Sequence, residues 1–177
     1  EAEWVTPVSR SYHGFEICEI PPNGHGIVAL MALALASRLP IKNRAEPRSV
    51  HYAIEAMKRA FVDGMEYITD PRYMKVDVND LLSDAYADRR AQGLTEDAEM
   101  PRAIDPDCGG TVYLCAADGE GNMVSFIQSN FRGFGSGIVI PGYGISFNDR
   151  ASSFRLDEKA ANVLVPGKKP YHTIIPG

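Results

Sequence analysis

The chain has 177 residues, 45% hydrophobic and 23% charged, an ordinary globular composition with enough apolar material for one core. Eighteen Lys and Arg against 23 Asp and Glu give a formal charge of -5, and with no basic tract that balance argues against nucleic acid as a partner. The one greasy run, Ile27 to Leu35, falls far short of the ~20 residues of a membrane-spanning helix, and Glu1-Ala2-Glu3-Trp4 has neither the basic nor the apolar region of a signal peptide.

Residues 1–100 read mostly as helix. Pro21-Pro22-Asn23-Gly24-His25-Gly26 is a turn-rich loop running into Ile27-Val28-Ala29-Leu30-Met31-Ala32-Leu33, apolar on nearly every side and therefore a buried helix. A long helix starts at Pro47 or Ser49. Its apolar positions Val50, Ala53, Ile54, Met57, Phe61 and Met65 recur at three- and four-residue steps, and Asp70-Pro71 ends it. A third helix is predicted from Asn79, as N-cap, to Gln92, with Gly93 as its stop.

After Pro101 the texture changes. Pro101 to Gly110 reads as a connector. Thr111 to Ala117 and Met123 to Ser129 read as two strands joined by the turn Asp118 to Asn122, a β-hairpin. A glycine-punctuated stretch from Gly133 to Gly144 follows, with Ile138-Val139-Ile140 as a short strand. Helices first and strands second, without βαβ alternation, predict an α+β fold in one structural domain.

Several tempting motifs fail on context. Gly133-Phe134-Gly135-Ser136-Gly137 resembles a phosphate loop, but β-branched residues rather than a helix follow it, and no Gly-Lys-Ser/Thr is present. Cys18, Cys108 and Cys115 form neither a disulfide framework nor a C-x-x-C pair, and Cys115 is read as packing within an apolar strand. His51 and Glu55 share a helix face at a spacing better explained by a surface contact than by a metal. Neither a metal nor an organic cofactor is expected.

Gly109-Gly110-Thr111 carries chemistry. A threonine hydroxyl is a poor nucleophile without a base beside it. A threonine that becomes a chain terminus acquires one in its own α-amine, with a pKa near ~8. The chain must first be cut before that residue, and Gly110 supplies the unhindered position that the cut requires. On these three residues alone, a plain Gly-Gly turn opening a strand is the simpler reading.

Four separated motifs change that balance. The Pro21–Gly26 loop, the run His51 to Phe61 with Asp70-Pro71, the stretch Thr111 to Ser125 with Asp118 and Gly121-Asn122, and Phe134-Gly135-Ser136-Gly137 with Pro141-Gly142 and Gly144-Ile145 together resemble the γ-glutamyltranspeptidase family of N-terminal-nucleophile hydrolases. The resemblance implies an αββα sandwich cut between Gly110 and Thr111. Residues 1–110 would then belong to a large, mainly helical subunit and 111–177 to a small β subunit, the two pairing after processing. It further implies that Thr111 attacks a γ-glutamyl amide such as glutathione, forms an acyl-enzyme and passes the acyl group to water or an amine. Ser129 falls where the family has a threonine supporting the nucleophile.

Departures from the family pattern cluster in the implied substrate pocket. The asparagine that helps bind the substrate amine aligns with Phe131, with Asn130 adjacent. The amine-binding aspartate falls on Ser153, Arg150 adds a positive charge nearby, and the serine pair gripping the α-carboxylate falls on His172-Thr173. The carboxylate-binding arginine and the Gly-Gly oxyanion hole are expected outside these residues, so the chain reads as a fragment that is inactive by itself. Three functions stand open: a γ-glutamyltransferase or glutathione hydrolase, an acylase of the same fold acting on another amide such as glutaryl, and a non-catalytic fold member. The partner implied is a small acyl-amide substrate.

Overall fold

The computed structural model describes residues 3–98 and 111–175. Helix α1 (Gly26–Ala36) carries Ile27, Val28, Leu30, Met31, Ala34 and Leu35 and buries all of them, because an apolar surface on every side leaves no face for water. Helix α2 (Pro47–Tyr67), with proline in its first turn, lies along it. The face α2 turns inward is Tyr52 followed at four-residue steps by Ala56, Ala60 and Gly64, small residues that let the two backbones approach closely. Val50, Ala53, Ile54 and Met57, most of the apolar stripe predicted from the sequence, are exposed instead. Charged groups on the buried face are paired: Glu55 with Lys58 at 2.7 Å and Asp63 with Arg90 at 2.7 Å. No helix among the described residues is long and apolar enough to cross a membrane.

Two other helical expectations are corrected. The amino-terminal region is not only helix: β1 (Val8–Tyr12) and β2 (Phe15–Glu19) form an antiparallel hairpin. Its two-residue turn, His13-Gly14, has φ of 49° and 85°, the doubly positive geometry that matches strand twist. The predicted single helix from Asn79 to Gln92 is two, α3 (Val78–Leu81) and α4 (Asp84–Ala91). Ser83 breaks it by becoming an N-cap, its hydroxyl accepting the Tyr86 N–H at 3.1 Å, while Asp77 rather than Asn79 caps the first piece. Arg10 and Arg38 converge on Asp84 and tie β1 and the end of α1 to α4.

The predicted hairpin forms over the expected residues. β3 (Thr111–Ala117) pairs antiparallel with β4 (Met123–Ser129) in the register Thr111↔Ser129 through Ala117↔Met123. Asp118 shapes the turn by accepting from the backbone N–H groups of Glu120 and Asn122 and from the Asn122 side chain, contacts that hold its carboxyl below the usual range. Cys115 is exposed on this hairpin rather than packed, because both faces of the two-stranded ribbon are open. The glycine-rich stretch delivers a smaller hairpin, β5 (Val139–Ile140) with β6 (Ile145–Ser146). At Gly135, φ is 67° and any side chain would collide with the Phe147 carbonyl. Cys108, Gly110 and the predicted connector lie outside the described residues.

The helical half meets the carboxy-terminal segment through the Pro21–Gly26 loop. His25 N–H donates to the His172 carbonyl at 2.8 Å and His172 N–H to the Asn23 carbonyl at 3.0 Å, a short parallel bridge. The Asn23 side chain adds a bond to the Pro170 carbonyl at 2.8 Å.

Gly64 offers a direct test of the α1–α2 contact, since a Cβ there would collide with Cγ2 of Val28. Gly64→Ala is expected to lower stability in chemical denaturation, the ~1–3 kcal/mol cost of overpacking exceeding the ~1 kcal/mol gain in helix propensity. A variant as stable as the parent would show that the helices separate without cost.

Candidate active site

Thr111 opens β3 and lies opposite Ser129, the last residue of β4, so the predicted nucleophile and its predicted support share one rung of the ladder. The Ser129 hydroxyl accepts the Phe131 N–H at 3.0 Å, which turns the chain sharply and leaves Phe131 at φ 76°. Asn130 contributes its carbonyl, which accepts the Asp149 N–H at 3.2 Å, and Asp149 Oδ1 accepts the Arg132 N–H at 3.1 Å. Through these bonds the turn Arg150–Ser153 is anchored to the segment that follows the Thr111–Ser129 rung.

Arg150 is the centre of the cluster. It is 3% exposed, and its Nη1 donates to Thr173 Oγ1 at 2.7 Å. The Phe131 ring centroid lies 5.2 Å from its guanidinium carbon. Burial pushes the Arg150 pKa down, with the charge of Asp149 acting in the opposite direction, but a guanidinium remains a cation throughout the physiological range. Among the described residues it makes no salt bridge, and Thr173 engages only one of its five N–H donors.

Ser153 faces inward. Its hydroxyl donates to the Arg150 carbonyl at 2.8 Å, with the Tyr171 carbonyl a second acceptor within reach of the same proton at 3.2 Å, so it braces the turn rather than facing a substrate. His172 and Thr173, adjacent in an extended segment, part company: Thr173 meets Arg150, whereas His172 lines a cleft of about 770 Å³ walled by Pro21, Pro22, Met74 and Val78. His172 Nδ1 accepts the Ile174 N–H at 3.3 Å, which puts any ring proton on Nε2. Sequence reasoning thus located Phe131, Arg150, Ser153 and Thr173, which the fold brings together, but missed two buried groups beside them. One is His25, packed against Phe61 and Tyr171. The other is Asn162, 5% exposed, whose signal in the sequence is a lone amide within the apolar run Ala160-Ala161-Asn162-Val163-Leu164-Val165.

The family profile described as Gamma-glutamyltranspeptidase matches residues 1–177. The chain belongs to the γ-glutamyltranspeptidase family. Its fold superimposes on the crystal structure of cephalosporin acylase from Bacillus halodurans with a TM-score of 0.87 and 51% identity, over 98% of this chain and 32% of that one. It is 35% identical over 170 residues to the oxamate amidohydrolase proenzyme of Klebsiella pneumoniae, covering 96% of this chain and 32% of the relative. A glutathione hydrolase-like proenzyme of Bacillus subtilis is 34% identical over 176 residues, covering 98% of this chain and 33% of that protein. The chain therefore spans about a third of the length of these relatives. The expected α+β fold of N-terminal-nucleophile hydrolases is the observed one, in a family of hydrolases and acylases made as proenzymes.

Within this γ-glutamyltranspeptidase-family site both histidines are held neutral at pH 7. Burial, then His172 and Arg150, push His25 down to about 4; burial, then Arg150, push His172 down to about 4. The unfolded chain takes up these protons near 6.5 and the folded chain only near 4, so protons favour unfolding across that window. Stability from this source is complete above pH 6.5 and falls as the pH drops toward 4. His172→Gln is expected to flatten the pH dependence of the thermal midpoint over this range, measured beside the parent. Equal slopes would exclude His172 from the coupling.

Proposed function

We propose that the protein is an N-terminal-nucleophile amidohydrolase whose substrate carries an acyl group ending in a carboxylate and lacking an α-ammonium, as a glutaryl amide does. Cleavage between Gly110 and Thr111 would divide a large-subunit part, residues 1–110, from a small-subunit part beginning at Thr111. The new α-amine of Thr111 would accept the proton of its own hydroxyl as that oxygen attacks the amide carbonyl. The C–N bond then breaks, the leaving amine takes a proton, and water or another amine resolves the ester on Thr111. The Ser129 hydroxyl supports the nucleophile from the opposite strand.

One observation carries the choice of acyl group: Arg150, buried against the ring of Phe131 two residues beyond Ser129, has a single donor engaged. A buried cation with no hydrogen-bonded carboxylate and only the field of Asp149 opposing its desolvation is costly, and a substrate carboxylate relieves that cost with charge-assisted hydrogen bonds. A substrate ammonium held ~5 Å from the same guanidinium would meet repulsion of about 3 kcal/mol at an effective dielectric of ~20. Where the family resemblance places an amine-binding carboxylate, Ser153 turns its hydroxyl onto two backbone carbonyls. The cephalosporin acylase and oxamate amidohydrolase relatives support this reading. The glutathione hydrolase-like relative supports a second, γ-glutamyl transfer or hydrolysis, in which Arg150 takes the α-carboxylate and the amine needs a partner outside this cluster.

Two experiments on the whole protein test the proposal. Thr111→Ala should leave the chain uncut by intact mass, whereas the parent splits between Gly110 and Thr111; a variant that cleaves normally overturns the nucleophile and returns the chain to a non-catalytic role. Glutaryl-p-nitroanilide should be turned over with a higher kcat/KM than γ-glutamyl-p-nitroanilide, and Arg150→Ala should cut the glutaryl value roughly 10- to 150-fold, the worth of a charge-assisted bond of ~1.5–3 kcal/mol. Preference for the γ-glutamyl compound would establish the second reading.

A further inference from the structure

Asn162 belongs to no implied catalytic motif, yet its amide joins three segments distant in sequence. Its Oδ1 accepts from Thr69 Oγ1 at 3.3 Å, beyond the end of α2, and from Tyr171 N–H at 3.2 Å. Its Nδ2 donates to the Ser153 carbonyl at 2.9 Å. Ser153 in turn bonds the Arg150 and Tyr171 carbonyls, and Tyr171 leads through His172 to Thr173, which accepts from Arg150. The bonds close a ring: Arg150, Ser153, Asn162, Tyr171, Thr173 and back to Arg150. Thr69 is fully buried and Asn162 nearly so, which anchors the ring to the helical core. A buried amide with both ends engaged admits few alternative arrangements, because each lost partner leaves a desolvated polar group.

The geometry points to Asn162 as a positioning residue that sets the separation of Arg150 and Thr173 and thereby determines how well the site holds the carboxylate of the acyl group. This rests on the reading of Arg150 as the carboxylate receptor. Asn162 acts on recognition and not on bond breaking, since its connections run to Arg150 and Thr173 and none of its bonds reaches the Thr111–Ser129 rung.

The test uses the whole processed protein with two p-nitroanilides, glutaryl and pentanoyl, which share a five-carbon acyl chain and differ in the terminal carboxylate. Asn162→Ala is expected to raise KM for the glutaryl compound about tenfold, with kcat within about threefold, and to leave the pentanoyl KM unchanged. Ser153→Ala should shift the same constant the same way, and the double variant should add little, because both cut one ring. Should the alanine variant fail to fold, Asn162→Asp keeps the volume and the Oδ1 acceptor while removing the donor to Ser153, and the same selective rise is expected. Arg150→Ala is measured in parallel. If it raises the glutaryl KM selectively while the Asn162 variants alter both substrates equally, or neither, the positioning role is overturned and the Arg150 reading survives. If Arg150→Ala fails to discriminate the substrates, the reading and the inference fall together.

Discussion

The exchange of backbone hydrogen bonds between Asn23, His25 and His172 is the contact on which the arrangement of the site depends. It joins the loop that starts α1 to the segment that carries Thr173. Buried N–H and C=O groups need partners, and here the two segments supply them to each other. The pairing draws Tyr171 into the core with Ile27, Val28 and Ile68, and it holds the next residues along the flank of the Arg150 turn. Gly24 and Gly26 in this loop suit the task, since they carry no side chain where the helix start meets the strand-like backbone, while His25 between them fills the space against Phe61 and Tyr171.

The site is a junction between two kinds of order. The Thr111–Ser129 rung is organised by a local hairpin with a tight carboxylate-braced turn. The Arg150 cluster is organised by long-range polar contacts to the helical core, with Asn162 and Tyr171 as intermediaries. Two bonds from the segment following Ser129 to Asp149 connect them. Buried polarity of this sort contributes definition of geometry more than net stability, because each group must first be taken out of water.

Much of this was legible in the sequence wherever local chemistry decides structure. The strands of the β3–β4 hairpin follow from alternating β-formers around an Asp-Gly turn, and α1 from a run with no polar face. The β1–β2 hairpin was missed because its strands carry Arg10, Glu16 and Glu19 and its turn is the inconspicuous His13-Gly14. Ser83 looks like one more residue of a helix until its hydroxyl is seen to cap. The inward stripe of α2 was hidden because small residues, not the large apolar ones, face α1. At the site, the family resemblance names positions but carries no orientations: His172 and Thr173 occupy neighbouring places with separate surroundings, and Ser153 serves the backbone.

The place of Thr111 at the start of a ladder bears on the chain end that the proposed cleavage would make. Terminal residues ordinarily fray, and a nucleophile at a loose terminus would sample many orientations of little use. Here the first residue after the Gly110–Thr111 bond is already paired across to Ser129. Severing the bond would therefore create an amine on a backbone whose position is set by a neighbouring strand, with most of its entropy surrendered when the chain first folded. Maturation would change the chemistry of the residue without requiring the scaffold to rearrange around it.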